Sequence, residues 1–173
     1  LFRIYSKKNK MKYSIFYLIK GEAGRYNQKL VREVGPKFGE NYMVEHSLPA
    51  HITLKSPFET DNIKDVERLL REFVKKQNPG KININGFGNF RKFVSFIKTE
   101  FSTSAFKIQK DLIKELKKIK IDPHEFDIEF KPHMTIAYGN TKKSFNEIRE
   151  YLSKLDKPRF DIMFDNITIM KKG

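Results

Sequence analysis

The chain has no cysteine. Disulfides, thiolate nucleophiles and cysteine-ligated metals are therefore excluded, and a reducing, cytoplasmic location is expected. No stretch approaches the roughly 18 consecutive apolar residues of a membrane span, so no membrane partner is expected. Lys8, Lys10 and Lys12, ahead of the apolar run from Tyr13 to Ile19, imitate a signal peptide. That run is at the lower limit of such a segment and carries two tyrosines, and a buried strand explains it better. Nor is there a single block of positive charge. The 35 Lys+Arg against 21 Asp+Glu give a net charge of +14, but the basic residues are spread along the chain, mostly on predicted helix surfaces. Two sources of that charge stay open: partners rich in phosphate, and a proteome rich in lysine.

Apolar material is ample. Of 173 residues, 39% are hydrophobic, with sixteen Phe and seven Tyr; this suits one domain, or two small lobes sharing a core. Met11 is a candidate natural start. The domain is accordingly expected over 12–171, with 1–11 as an N-terminal extension outside the fold.

The pattern predicts a strand over 12–20, punctuated by Gly21 and Gly24, then a helix over 25–34 that Gly35-Pro36 ends or kinks. A short strand runs from His51 to Lys55 and Pro57 closes it. Val66, Leu69, Leu70, Phe73 and Val74 mark a helix over 62–76, stopped by Asn78-Pro79-Gly80. Ile82, Ile84 and Phe87 belong to the next strand. The order then recurs: a strand over 93–99; a helix over 102–119 burying Phe106, Leu112, Ile113, Leu116 and Ile119; an extended segment over 125–130; a strand from His133 to Tyr138; a helix to about Lys154 opened by a Ser144/Glu147 capping box; and a final strand or strands over 160–170.

Two short segments organise this order. His51-Ile52-Thr53-Leu54 and His133-Met134-Thr135-Ile136 are copies of one pattern, His, apolar, Thr, apolar. In a strand, residues i and i+2 share a face, so each copy sets an imidazole beside a hydroxyl and buries the two apolar residues behind them. The histidines are 82 residues apart, and shifting the other elements by that distance superimposes most of them. The unit is strand, helix, His-x-Thr strand, helix, strand, made twice, over about 12–90 and 93–171. The fold class expected is α+β: two pseudo-symmetric lobes, each an antiparallel sheet with helices on its outer face, the sheets facing a central cleft lined by the His-x-Thr strands.

Two histidines across a cleft suit acid–base work, one neutral and taking a proton, the other cationic and giving one. Two threonine hydroxyls suit the non-bridging oxygens of a phosphate. Two His and two Thr make a poor zinc site. Four polar side chains on an inner face imply a hydrated cleft or a ligand, because each one left unpartnered costs about 1–3 kcal/mol. Lys55 shares the strand parity of His51 and Thr53 and could touch a phosphate; a solvated edge lysine explains it as well. Phe58 and Tyr138 could stack on a base, although Tyr138 has the parity of Met134 and Ile136, which favours the core. Phe87, Phe90, Arg91 and Lys92 surround a turn between the lobes and suit either an RNA strand or a hairpin tip. His46 and His124 read as surface residues in loops.

On these residues the chain resembles the 2H phosphoesterase superfamily, which includes the 2′-5′ RNA ligase-like proteins and cyclic phosphodiesterases. The resemblance rests on His51-Ile52-Thr53-Leu54, on Pro132-His133-Met134-Thr135-Ile136, on their wide spacing and on the two-lobe order, and it covers residues 12–171. It implies His51 and His133 as acid and base, with Thr53 and Thr135 as phosphate-binding hydroxyls. It implies action without metal or other cofactor on 2′,3′-cyclic phosphates or 2′-5′ phosphodiesters of RNA ends or small nucleotides. Many bacterial members carry an arginine two residues after the second Thr, where this chain has Ala137. Ligation, the reverse reaction, and a nucleotide- or RNA-end-binding module with little turnover are the competing readings. A monomer is expected.

Overall fold

The computed structural model describes residues 11–90 and 93–172. The extension ahead of Met11 and the basic pair Arg91-Lys92 lie outside the described residues. The apolar run after Lys12 forms β1 (Met11–Leu18). Ile15, Phe16 and Tyr17 are all buried, because β1 is the middle strand of its sheet and both its faces are covered. The helix α1 (Gly21–Lys37) begins four residues earlier than its spacing suggests. Gly24 is the reason: a Cβ there would collide with the Ile19 carbonyl oxygen, so only glycine lets the first turn close onto the end of β1. Ala23, Leu30, Val31 and Val34 line its buried face. Pro36 lies inside its last turn and the helix stops one residue later.

A one-turn helix with no strong sequence signal, α2 (Tyr42–Glu45), precedes β2 (His51–Thr60). Pro57 does not close β2. The strand runs on past it because β2 is an edge, and the pairing of Tyr13 with Phe58 and of Ile15 with Lys55 leaves an extra residue in β2 at the Ser56-Pro57 step, where no amide is needed. Next come α3 (Ile63–Val74), β3 (Lys81–Phe90) and β4 (Val94–Phe101). The strands β3 and β4 on either side of the Arg91-Lys92 pair are neighbours within one sheet rather than parts of two lobes. The helix α4 (Thr103–Lys118) is capped by the Ser102 side chain. Its Phe106, expected inside, is 42% exposed. The segment expected to be extended holds a single turn, α5 (Glu125–Ile128), opened by His124 and Asp127 in a reciprocal cap. After β5 (His133–Tyr138) comes α6 (Lys142–Ser153), whose capping box is Thr141 with Ser144 rather than Ser144 with Glu147. The chain ends in β6 (Arg159–Met163) and β7 (Thr168–Lys171).

The strands form two antiparallel sheets, ordered β2-β1-β7 and β5-β4-β3-β6. The sheets do not follow the repeat boundary. The last strand of each repeat pairs with the other repeat's sheet: β3 with β4, and β7 with β1. Helices cross over as well, α1 packing along β5. One continuous core results, running from Ile15, Ile52 and Leu54 through Ile84 and Ile97 to Leu112, Leu116, Met134 and Ile136.

Two buried carboxylates fasten the halves together reciprocally. Asp127, of the second repeat, accepts the Ser56 N–H at 2.7 Å and the His124 N–H at 2.8 Å, and pairs with the Lys55 ammonium at 2.8 Å. Glu40, of the first repeat, accepts the Asn140 N–H at 2.8 Å, the Asn140 side-chain amide and the Ser144 hydroxyl. Each carboxylate thus holds residues that follow the other repeat's His-x-Thr motif. Burial alone would push the Asp127 carboxyl up; Lys55 and the donated N–H groups outweigh it and hold the group below the usual carboxylate range. A folded-state value depressed in this way stabilises the fold fully above about pH 4, and the stabilisation is lost as the pH falls through the folded value. Asp127→Ala, which strands the Lys55 ammonium in the core, is expected to cost about 3–5 kcal/mol; urea unfolding at neutral pH measures it, and a cost under about 1 kcal/mol would mean that the pair behaves as a surface contact.

Candidate functional site

The two His-x-Thr strands, β2 and β5, are each the edge of their sheet, and they lie side by side. Over the first three residues of each, strand parity holds. Ile52 and Met134 are buried, while His51, Thr53, His133 and Thr135 are half-buried on the opposite face. Burial lowers the proton affinity of His51, and a charge on His133 lowers it further.

Both imidazoles are oriented in the same way. His51 Nδ1 lies 2.7 Å from the Pro49 carbonyl, and His133 Nδ1 lies 2.7 Å from the Lys131 carbonyl. A carbonyl can only accept, so Nδ1 carries the hydrogen in both rings and Nε2 is left with a free lone pair in the neutral form. Each ring also rests on a phenylalanine of the next strand. Phe16 stacks on His51 at 4.0 Å between centroids, and Phe96 lies 5.2 Å from His133, with Phe90 edge-on at 4.7 Å. Phe16 and Phe96 are equivalent, since each is in register with the motif threonine beside it. Burial among these rings lowers the proton affinity of both histidines below the ordinary imidazole value; the carbonyl contacts oppose that shift only in part.

Beyond the motifs, both strands break parity at the same place. Phe16 pairs with Thr53 but Ile15 with Lys55, leaving Leu54 as an extra residue; Phe96 pairs with Thr135 but Ser95 with Ala137, leaving Ile136 as its counterpart 82 positions on. These are β-bulges, and they reverse the faces of the residues beyond them. Lys55 is therefore carried out of the cleft. It is 1% exposed and committed to Asp127, so the expected phosphate contact is not formed. Phe58 is likewise buried, against Tyr13 at 6.2 Å, and is not a stacking surface. Tyr138 moves the other way. Expected in the core, it is half-buried on the cleft side, its hydroxyl beside the Thr135 side chain and its ring edge-on to Tyr42 at 5.2 Å. Burial, then the neighbouring Tyr42, raises its phenol above the usual value.

Pattern reading missed Phe16, Phe96 and Lys98, and read Phe90 as part of a turn rather than as a support for His133. The side chains of Phe16, Phe96 and Phe90 face the cleft and hold the imidazoles. Lys98 is in register with His133 on β4 and so shares its face; it forms no ion pair among the described residues. Lys98 lies across Gly88, where a Cβ would meet the Phe96 ring at 2.7 Å and the Lys98 side chain at 3.2 Å. Alternation along β4 could have found Phe96 and Lys98 once the pairing with β5 was known. Of the remaining histidines, His46 is exposed after α2 and His124 caps α5. Among the described residues no three His, Asp or Glu side chains gather in a group that could hold a metal ion, and no helix is long and apolar enough to cross a membrane.

Because their folded-state values are depressed, both histidines favour the neutral form, and their contribution to stability is full above about pH 6.5 and falls as the pH drops below it. Imidazole NMR titration is expected to find both with Nδ1 protonated and with midpoints below about 6.5. In His133→Ala the His51 midpoint is expected to rise; an unmoved midpoint would show that the two rings do not share a field.

The chain matches the 2′-5′ RNA ligase superfamily over residues 37–173. No curated protein matches it. Several solved structures share the fold. TT0787 of Thermus thermophilus is 15% identical with a TM-score of 0.61, over 92% of this chain and 87% of that one. A protein described as a phosphoesterase is 12% identical with a TM-score of 0.60, over 94% and 88%. E. coli LigT, solved with 3′-AMP, is 12% identical with a TM-score of 0.54, over 94% and 87%.

Proposed function

The chain belongs to the 2′-5′ RNA ligase superfamily, and from that premise we propose that it is a metal-independent phosphodiesterase acting on 2′,3′-cyclic phosphate or 2′-5′ phosphodiester linkages of RNA ends or small nucleotides. One observation carries the reading: two imidazoles on neighbouring edge strands, each with Nδ1 donated to a backbone carbonyl and Nε2 left to exchange protons. That E. coli LigT was solved with a nucleoside monophosphate agrees with a substrate of this class.

On a 2′,3′-cyclic phosphate, one histidine, neutral, takes a proton from water through Nε2 as the water oxygen attacks phosphorus. The other, cationic, gives its Nε2 proton to the ribose oxygen as the P–O bond to it breaks. Water is consumed, the ring opens to a phosphomonoester, and the two histidines have exchanged charge states. Thr53 and Thr135 donate to the non-bridging oxygens as negative charge builds on them. Tyr138 positions the Thr135 hydroxyl, and Lys98 adds positive charge to the same face. The shared carbonyl anchors set both rings in the tautomer this exchange requires. Replacing water by a ribose hydroxyl of a second RNA end turns the same sequence of transfers into ligation, and product analysis separates the two.

Incubation in EDTA with 2′,3′-cyclic mononucleotides, 2′-5′ dinucleotides and cyclic-phosphate-ended RNA is expected to yield phosphomonoesters. His51→Ala and His133→Ala are each expected to slow the chemical step by about 10²-fold or more; wild-type turnover in either folded variant would sink the mechanism. One histidine must be neutral and the other protonated, and both affinities are depressed. The kcat/KM profile is therefore expected to be bell-shaped and centred below about pH 6.5. A maximum well above neutrality would contradict the assignment.

A further inference from the structure

A second concavity adjoins the cleft. It is a groove of about 700 Å³ between the start of α1 and the segment that leads into β2, lined by Lys20, Arg25, Lys29, Arg32, Pro49 and Ala50 among others. Pro49, on its wall, supplies the carbonyl that orients His51, and Ala50 precedes that histidine directly. The groove wall is therefore in direct contact with His51 through the Pro49 carbonyl. Gln28 fixes its two sides to each other, donating from α1 to the Leu48 carbonyl at 3.2 Å.

On α3, α4 and α6 some cations find a carboxylate one turn away: Arg68 with Asp65, Lys107 and Lys114 with Asp111, Lys118 with Glu115 and Lys143 with Glu147. Along α1, Arg25, Lys29 and Arg32 recur at helical spacing on one exposed face, and Lys20 stands at its start. None of the four forms an ion pair among the described residues. The one carboxylate on the groove, Glu33, accepts a hydrogen bond from the Tyr151 hydroxyl. Like charges held together around one concavity repel, and a polyanion relieves that repulsion. From Arg25 to Arg32 the helix advances roughly 10 Å, enough to follow the phosphates of a few successive nucleotides.

We infer that this groove holds the backbone of single-stranded RNA whose phosphate-bearing end occupies the cleft, so that the preferred substrate is an oligonucleotide rather than a mononucleotide. The inference rests on the phosphodiesterase reading for the identity of that end. The cations grip the strand by charge without reading its bases, and so bind it in a salt-dependent way.

The test compares the wild type with the triple variant Arg25→Gln, Lys29→Gln, Arg32→Gln, whose exposed side chains leave the core untouched. Substrates are a 2′,3′-cyclic mononucleotide and a short RNA with the same end. At low salt the variant is expected to lose about tenfold or more in kcat/KM on the RNA and nothing on the mononucleotide. Its plot of log affinity for RNA against log salt should be shallower by about 2, at roughly 0.7 for each phosphate no longer neutralised. Equal losses on both substrates, or none on either, would overturn the inference. Should the wild type hydrolyse neither substrate, the functional reading fails, but the groove is still tested by fluorescence anisotropy with 3′-phosphate-ended RNA. Binding weakened tenfold in the variant supports the groove, and unchanged binding refutes it. Displacement of that RNA by polyglutamate at equal chain length and concentration would refute a nucleic-acid partner.

Discussion

A strand at the edge of a sheet leaves a row of backbone groups unpaired, and here both histidine-bearing strands are edges. They must be edges, since only an edge can bring a side chain from one sheet up to a side chain from another across an open cleft. The exposed carbonyls are answered from the helices. Asn27 of α1 donates to the Thr135 carbonyl at 3.1 Å, and Gln109 of α4 donates to the Leu54 carbonyl at 3.1 Å. These amides stand 82 positions apart, like the histidines they support. Both are buried, so each costs desolvation unless its hydrogen bond is made, and making it fixes the strand that carries the motif. With Asp127 and Glu40 gripping the residues just beyond the motifs, each His-x-Thr motif is held from the side and from its C-terminal end by groups of the other repeat.

The environment of the rings stems from the same arrangement. Phe16 and Phe96 occupy matching positions and dry the two imidazoles, while the Pro49 and Lys131 carbonyls hold their tautomer. Hydrophobic support therefore lowers proton affinity at the same time as it fixes geometry. The halves differ in the surroundings of this matched centre. Leu18 lies in register with His51, whereas Lys98 lies in register with His133. The matched centre is thus flanked by an apolar side chain beside His51 and by an ammonium beside His133.

Much of this was legible in the sequence. The paired motifs, their separation, the two-sheet class and the shared face of His51, Thr53, His133 and Thr135 all follow from a period of two applied over three residues. The same rule failed just beyond. A bulge at Leu54 sent Lys55 into the core, and its twin at Ile136 brought Tyr138 out of it. Neither bulge contains glycine, and aliphatic residues such as Leu54 and Ile136 give no warning of one. Pro57 misled for a related reason: it breaks a central strand but is tolerated at an irregular step of an edge. The equivalence of Phe16 and Phe96, 80 apart rather than 82, was hidden because a uniform shift overlooks a two-residue difference in loop length. Repeat detection could not reveal which sheet the third strand of each unit joins, because that is decided by partners distant in the chain.

That exchange of third strands has a consequence for how such a molecule could arise. Each sheet contains a strand from the other unit, β3 in one and β7 in the other. A lone ancestral copy obeying the same pairing would have met its needs only by trading that strand with an identical neighbour, as a swapped homodimer with one active centre at its two-fold axis. Joining the copies in tandem makes the trade intramolecular, removes its dependence on concentration, and frees the two copies to diverge in sequence.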